Sequence, residues 1–508
     1  MTPPLNLLIP MAGKGSRFRA AGYPDYKPFV QIFGKPMIQY VLDAFPDYVT
    51  KRIIADRDLL TDAQIDFLTS QPNVIVHFVP SHSLGPAYSI VQARDELPLD
   101  EAFFIAYCDI FWTWDFTEIA PLLHHDGIVF TRREFHPHLV GNNFSAFCRT
   151  DAAHPDQLAE IREKGSFTDD WMHEPLSVGA FYVRDGRAMI SAMQQMIALD
   201  RRVSGEFFPS VIFNDLIATG QQILLHDVDF FVHWGVPEQL EDLQYWVQTY
   251  RRLDAQAALD ATTNLCCMGG AGVRMQELGA EPKALMPVHG LPMFRYVAEH
   301  FGCRSTKFIV HQQMAERLRS SGVPTDDLVD IGPPTSSQLD TLAMADDVLR
   351  RQRTFFLTSC DAFGVWDNQA FQLFLTKEQP KAVIFTFVPT LLQHGLGGSH
   401  TYVETDGARV AAVHIKHKPS DTAVGLAGFF WFRDGTVFEQ LERIPPDPGR
   451  ELCADHILKY LVDTGERVSA YPLDAYVHLG SPTELREFAF WGAYHSVFDD
   501  AMIGGQNH

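Results

Sequence analysis

Leu7-Leu8-Ile9-Pro10-Met11-Ala12-Gly13-Lys14-Gly15-Ser16-Arg17-Phe18 returns 257 residues later as Asn264-Leu265-Cys266-Cys267-Met268-Gly269-Gly270-Ala271-Gly272-Val273-Arg274-Met275. In each copy an apolar run of strand length ends in a glycine-rich turn and then an arginine, the pattern of a strand feeding a helix. Further landmarks follow in the same order. Lys27 is matched by Lys283, Gly34-Lys35-Pro36-Met37 by Gly290-Leu291-Pro292-Met293, and Phe103-Phe104 with Cys108-Asp109 by Phe355-Phe356 with Cys360-Asp361. His233-x-Gly235-x-Pro237 returns as His478-x-Gly480-x-Pro482, where the offset has drifted to 245. The expectation is two units, 1–252 and 264–508, joined by an Ala-rich helix end and linker over Leu253 to Thr263.

Within each half, short apolar or β-branched runs alternate with helical patterns. In the first these are Leu5 to Pro10, Met37 to Phe45, Arg52 to Ala55, Thr61 to Ser70, Val74 to Val79, Ala87 to Asp95 and Phe103 to Tyr107. Such βαβα order predicts an α/β fold with a mainly parallel sheet flanked by helices. Ligands of such sheets sit beyond the carboxyl ends of the strands. At 508 residues the chain is too long for one ordinary domain, and 46% hydrophobic with 20% charged residues describes a globular protein.

Forty-one basic against 63 acidic residues give a net charge of −22, which excludes a large nucleic-acid surface but not a pocket for a small anion. No apolar run approaches the ~18–20 residues of a membrane span, and the amino terminus lacks a signal-peptide pattern, so the expected address is cytoplasmic. Seven cysteines without C-x-x-C spacing suit reduced thiols, with no structural metal expected.

Gly13-Lys14-Gly15-Ser16-Arg17 lies where a strand end opens a pocket, and glycines let backbone N–H groups approach a phosphate. It is neither the dinucleotide fingerprint, because Phe18 stands at the third glycine, nor a P-loop. Lys27-Pro28, ten residues after Arg17, adds a second cation suited to a triphosphate. Asp109 ends a buried-strand pattern, where a carboxylate can share a hard divalent cation with phosphate oxygens.

Gly-x-Gly-x-Arg-Phe, the following Lys-Pro and Gly-x-Pro-Met together resemble the signature of the sugar-phosphate nucleotidyltransferase (NTP transferase) family. The resemblance implies two tandem Rossmann-like (GT-A-like) nucleotidyltransferase domains, with a nucleoside triphosphate and a small phosphorylated acceptor as partners and Mg²⁺ as cofactor. It implies nucleotide binding by Ala12, Gly13, Gly15, Arg17 and Gly85, and by Gly270, Gly272, Arg274 and Lys283 in the second half. Arg17, Lys27 and Lys164 take catalytic roles, Lys27 beside the departing pyrophosphate. Asp109 and Asp361 resemble the metal-binding aspartate.

The family's later Trp-x-Asp pattern is replaced here by Val232-His233-Trp234 and Val477-His478-Leu479. A period of two puts Asp229 on the same strand face as His233, which makes Asp229 the candidate second metal ligand. Glu163-Lys164 resembles the acceptor-binding Glu-Lys motif, with Lys418 of His417-Lys418-Pro419 as its second-half counterpart. Gly141, Asn143 and Glu206 fall where such enzymes contact the acceptor. The expected reaction joins a nucleoside triphosphate to a sugar 1-phosphate with release of pyrophosphate. Alternatives are a cytidylyltransferase acting on phosphocholine or an alditol phosphate, and a binding or regulatory protein with a degenerate second domain. A glycosyltransferase is disfavoured because no Asp-x-Asp is present at either position. Base, acceptor and homo-oligomerisation stay open.

Overall fold

The computed structural model describes residues 4–141, 145–253, 259–270, 281–390, 400–445 and 451–498. It has two compact units, one of Met1–Gln244 with Ser496–His508 and one of Tyr245–His495. The division falls inside the helix Pro237–Leu253 rather than after it, and the carboxyl-terminal stretch returns to the first unit. There Phe498 is fully buried, with its ring 5.7 Å from Phe33 and 5.3 Å from Phe111.

The first unit is built on four parallel strands in the order Val74–Phe78, Thr50–Ala55, Leu5–Pro10, Ala102–Ala106. Every residue of Leu5–Pro10 is buried because the sheet is covered on both faces. Leu5, Leu7 and Ile9 enter one core layer with Phe104 and Trp112, whereas Leu8 enters the opposite layer with Phe103 and Ile105. Burying each such phenylalanine contributes about 1.5–3 kcal/mol. Beyond Ala102–Ala106 the sheet turns mixed. Leu176–Val183 runs antiparallel to it and pairs with Gly127–Arg132, which pairs in parallel with Ile223–Asp227.

The expected helices form with small shifts at their ends. Thr61 and Gln64 make a reciprocal capping box, so the helix runs Asp62–Ser70, while Pro36 precedes the helix Met37–Asp43. A separate two-stranded ribbon, Ile110–Thr113 with Phe230–His233, pairs antiparallel with His233 opposite Ile110. It carries residues late in the sequence back to the end of Ala102–Ala106.

The second unit begins with the same kind of parallel order, Leu328–Asp330, Cys303–Val310, Leu259–Met268 and Phe355–Ser359, followed by antiparallel Val424–Phe432. The expected linker to Thr263 is therefore too long, because residues from Leu259 onward already extend as strand. The expected second Rossmann-like domain is also corrected. Val424–Phe432, Ala382–Phe387, Val468–Pro472, Arg409–His414 and Tyr402–Asp406 pair in succession, and the last pairs back with the first to close a five-strand barrel. The closure starts at Gly407, whose positive φ turns the hairpin back on itself. Ring closure leaves no free edge among these strands.

All seven cysteines are free thiols. No described helix is long and apolar enough to cross a membrane. Asp185 caps the helix Gly186–Ala198 in the first unit, and a Cβ on Gly186 would meet Phe103 at 2.5 Å and the Leu99 carbonyl at 2.9 Å. Gly186→Ala should lower stability by about 1–3 kcal/mol through overpacking against the central strand. Denaturant unfolding followed by circular dichroism checks this; an unchanged midpoint would show that the contact relaxes freely.

Candidate active site

The glycine turn sits at the end of Leu5–Pro10, where Gly15 adopts φ +59 and caps the short helix Ser16–Ala20. A Cβ at Gly15 would lie 3.0 Å from the Cβ of Lys27, so a residue without a side chain is what lets the lysine segment close on the turn. A side chain at Gly13 would meet nothing within 4 Å, which leaves this part of the turn open. The hydroxyl of Tyr26 donates to the Met11 carbonyl and, at 2.8 Å, to the Gly13 carbonyl. Tyr26 thereby ties the turn to the Lys27–Phe29 segment.

Lys27 is the centre of the site. Its ammonium donates to Asp109 Oδ2 at 2.6 Å and to the Gly235 carbonyl at 2.9 Å. Both partners come from the ends of strands, Asp109 after Ala102–Ala106 and Gly235 after Phe230–His233. The Trp234 amide donates to the Asp109 carbonyl at 3.1 Å and fixes the two chain segments together. Burial raises the Asp109 carboxyl, but the adjacent Lys27 charge and its hydrogen bond outweigh it and hold the group below the usual carboxylate range. The Asp109 carboxylate thus stays ionised.

His233 accepts at Nε2 from the Gln239 amide at 2.8 Å. Its ring stacks on His138 with centroids 5.3 Å apart, and His138 faces Asp242 at 3.2 Å between two almost fully buried side chains. Burial, then the neighbouring His138, lowers the His233 pKa to about 3, which leaves a neutral ring beside the Lys27–Asp109 pair.

Asp229 is corrected as a metal ligand. It shares a strand face with His233, yet it is exposed and stands beyond the opposite end of the ribbon, where its amide donates to the Thr113 carbonyl at 3.1 Å. Four residues of strand separate it from His233, about 13 Å at the usual rise. Period two fixes which face a residue takes, and the ladder register fixes which end.

Gly85 with φ +90 packs against Glu206 and Phe207, where a Cβ would come within 2.8 Å of the Phe207 amide nitrogen. Glu163 accepts from the Ser210 hydroxyl at 2.6 Å. Its carboxyl is raised, mainly by burial, with a further push from Glu206. Lys164 has φ +55 and sets its ammonium over the Phe208 ring at 4.7 Å. The hydroxyl of Tyr107 is buried without a hydrogen-bond partner among the described residues, and after burial its largest electrostatic neighbours are Glu163, Asp109 and Glu206. Tyr107 therefore links the Asp109 side of the site to the Glu163 side.

Other expected residues are not brought in. Arg17 is exposed on Ser16–Ala20 and makes no ion pair among the described residues. Ala12 is buried beneath the turn. Gly141 is exposed in a turn at φ +78 with no neighbour for a Cβ, and Asn143 lies outside the described residues. Tyr26, Gly235, Gln239, Ser210 and Tyr107 escaped the sequence reading. The residue six places after each histidine, Gln239 after His233 and Glu484 after His478, was a visible signal for one of them.

The second unit repeats the central contact. The Lys283 ammonium donates to Asp361 Oδ2, and His478 Nε2 stands 3.7 Å from the same oxygen. Here His478 Nδ1 donates to Glu484 at 2.7 Å, so a carboxylate takes the place of the Gln239 amide. A Cβ at Gly270 would meet nothing within 4 Å, whereas one at Gly269 would collide with Thr341. Gly272 and Arg274 lie outside the described residues. The counterpart of Lys164 is corrected from Lys418 to Lys416. Each stands two residues past the end of a strand and takes a left-handed backbone, φ +55 at Lys164 and +50 at Lys416, whereas Lys418 stands two residues further on.

Residues 7–168 match the MobA-like NTP transferase domain. No curated protein matches the chain. Among solved structures, the nucleoside-diphosphate-sugar pyrophosphorylase from Vibrio cholerae RC9 is 19% identical over 46% of this chain and 98% of its own, with a TM-score of 0.40. The inositol-1-phosphate CTP transferase from T. maritima is 14% identical over 47% and 92%, with a TM-score of 0.34. The UTP-bound UGPase from Acinetobacter baumannii is 13% identical over 50% and 99%, with a TM-score of 0.38. The family match lies within the first unit and does not extend to the second.

The His233 ring gives a pH prediction. Below pH 6.5 the unfolded chain binds a proton there that the folded chain refuses until about pH 3, so this ring makes stability fall as pH drops through that window. The decline in Tm between pH 6.5 and 4 should be shallower in His233→Asn than in the unchanged protein. Equal slopes would show that the ring titrates normally in the fold.

Proposed function

We propose that the first unit transfers a nucleotidyl group from a nucleoside triphosphate to a small phosphorylated acceptor, with a sugar 1-phosphate as the acceptor class, and releases pyrophosphate. The observation that carries this reading is the Lys27–Asp109 pair at the mouth of the parallel strands beside an open glycine turn, within the stretch that matches an NTP transferase domain.

The chemistry asks the protein mainly to position two anions and to offset their charge. An acceptor phosphate oxygen attacks the α-phosphorus, the bond to the β-phosphate oxygen breaks, and pyrophosphate leaves with the electron pair. No protein nucleophile is needed. The open backbone at Gly13 and the glycine at position 15 let main-chain N–H groups reach phosphate oxygens. Lys27, held at the strand mouth by Asp109 and Gly235, supplies a fixed positive charge for the departing pyrophosphate. Arg17, exposed on its short helix, is the second cation for the triphosphate. On the acceptor side Lys164 meets the phosphate and Glu163 a hydroxyl.

The residues fit Mg²⁺ in one specific way. Among the described residues no group of three or more His, Cys, Asp or Glu side chains is placed to hold a metal ion. Asp109 alone is a suitable oxygen ligand, which matches an ion held by one carboxylate and the phosphates of the nucleotide. Bound there, Mg²⁺ would screen the phosphate charges. Asp109 would then share its carboxylate between the ion and Lys27.

Lys27→Ala should reduce pyrophosphate release by about 10²–10³-fold with the fold intact. Lys283→Ala should leave most of the turnover in place. The assay pairs four nucleoside triphosphates with sugar 1-phosphates, phosphocholine and alditol phosphates, and mass spectrometry identifies the product. Full turnover in Lys27→Ala would overturn the assignment of the reaction to the first unit.

A further inference from the structure

A cavity of about 800 Å³ opens in the second unit and shares no residue with Lys27–Asp109 or Lys283–Asp361. Its volume lies in the range of about 300–1,000 Å³ typical of small-molecule sites. Three segments frame it: the end of the barrel strand Arg409–His414 with Ile415 and His417, the residues Arg443 to Pro445, and one face of the helix Asp455–Asp463. The floor is apolar, with Val413 and Ile415 buried, and the wall includes the half-buried ring of Tyr460.

The rim carries the opposite charge to the chain as a whole. Against a net charge of −22, the cavity lining holds two cations, Arg443 and Lys459, with the single carboxylate Asp463 and the imidazoles His414, His417 and His456. Two of these are already engaged, Lys459 with Asp463 at 2.8 Å and His414 with Glu404 at 3.0 Å. Arg443 is different. It is exposed at the edge of the cavity and makes no ion pair among the described residues. A guanidinium without an ion pair among the described residues, lining one cavity with an apolar floor and an aromatic residue, fits a ligand with an anionic end and a flat apolar body. A guanidinium fork takes carboxylate, sulfonate or phosphate oxygens in pairs, and an aromatic ring stacks on a planar body.

We infer that this cavity is a binding site for a small organic anion with a planar apolar body, gripped at its charged end by Arg443 and stacked at its body on Tyr460. The site is separate from the transfer reaction and holds whether or not the second unit has any catalytic role.

Two fluorescent probes test it on the full chain. 8-Anilinonaphthalene-1-sulfonate has the anionic end and the flat body; N-phenyl-1-naphthylamine has the body alone. The sulfonate should bind with saturable enhancement at one site per chain. Arg443→Glu should weaken it by about tenfold or more, and Tyr460→Ala should weaken both probes, with circular dichroism confirming that each variant is folded. The neutral probe should bind more weakly and be insensitive to Arg443→Glu. Absence of saturable sulfonate binding overturns the inference. So does sulfonate affinity that both variants leave unchanged, or neutral-probe affinity equal to that of the sulfonate in the unchanged protein.

Discussion

The site depends on one ion pair held where four chain segments meet. Lys27 and Asp109 are 82 residues apart, and each is only partly exposed, 16% and 26% at the side chain. A half-buried charge is tolerable only with a partner, and each group here is the other's partner. That requirement explains the surrounding backbone. Gly15 must lack a side chain for Lys27 to approach the turn, and the Gly235 carbonyl takes a second ammonium proton. The ribbon Ile110–Thr113 with Phe230–His233 exists at the place that brings Gly235 alongside Asp109. A polyphosphate entering at Gly13 would meet a lysine already desolvated and aimed, so little of its charge is spent on reorganising solvent.

The same pairing in the second unit has a different electrostatic setting. Gln239 offers His233 a neutral amide, whereas Glu484 offers His478 a carboxylate, and Ser481 donates to the other oxygen of that carboxylate at 2.6 Å. His478 also lies within ion-pair distance of Asp361. The second pair is thereby built into a longer chain of polar contacts, Lys283 to Asp361 to His478 to Glu484. In such a chain each charge is committed to protein partners. The first pair keeps a neutral histidine next to it. The barrel of the second unit further separates the two halves in architecture, and its cavity lies away from the shared motif.

Much of this was legible in the residues, for reasons that are local. A fully apolar six-residue run before a glycine turn specifies a buried parallel strand, and Leu5–Pro10 is one. Thr61 with Gln64 specifies a helix start. The placing of the glycine turn and of Asp109 at two strand ends followed from the order of elements. The Asp406-Gly407 hairpin signal between Val403 and Val410 was also present, but a turn says nothing about which distant strands its hairpin will meet, so the barrel was not legible. His417-Lys418-Pro419 offers the cation of the Glu-Lys motif without its acid, whereas the left-handed backbone that marks Lys416 has no signature at lysine.

Sequence alone determined the strand-turn-helix unit, the double burial of its central strand and the residue types able to meet a polyphosphate. These follow from periodicity and from glycine's freedom, which act over a few residues. Tertiary structure alone decided which end of the ribbon faces Asp109, and so excluded Asp229. It also decided that the second half closes into a ring, and that Tyr107, Glu163 and Ser210 converge beyond the same strand ends. Those outcomes rest on register and on contacts between segments tens to hundreds of residues apart, and pairing energy across such distances is set by how whole sheets pack, not by any short stretch of side chains.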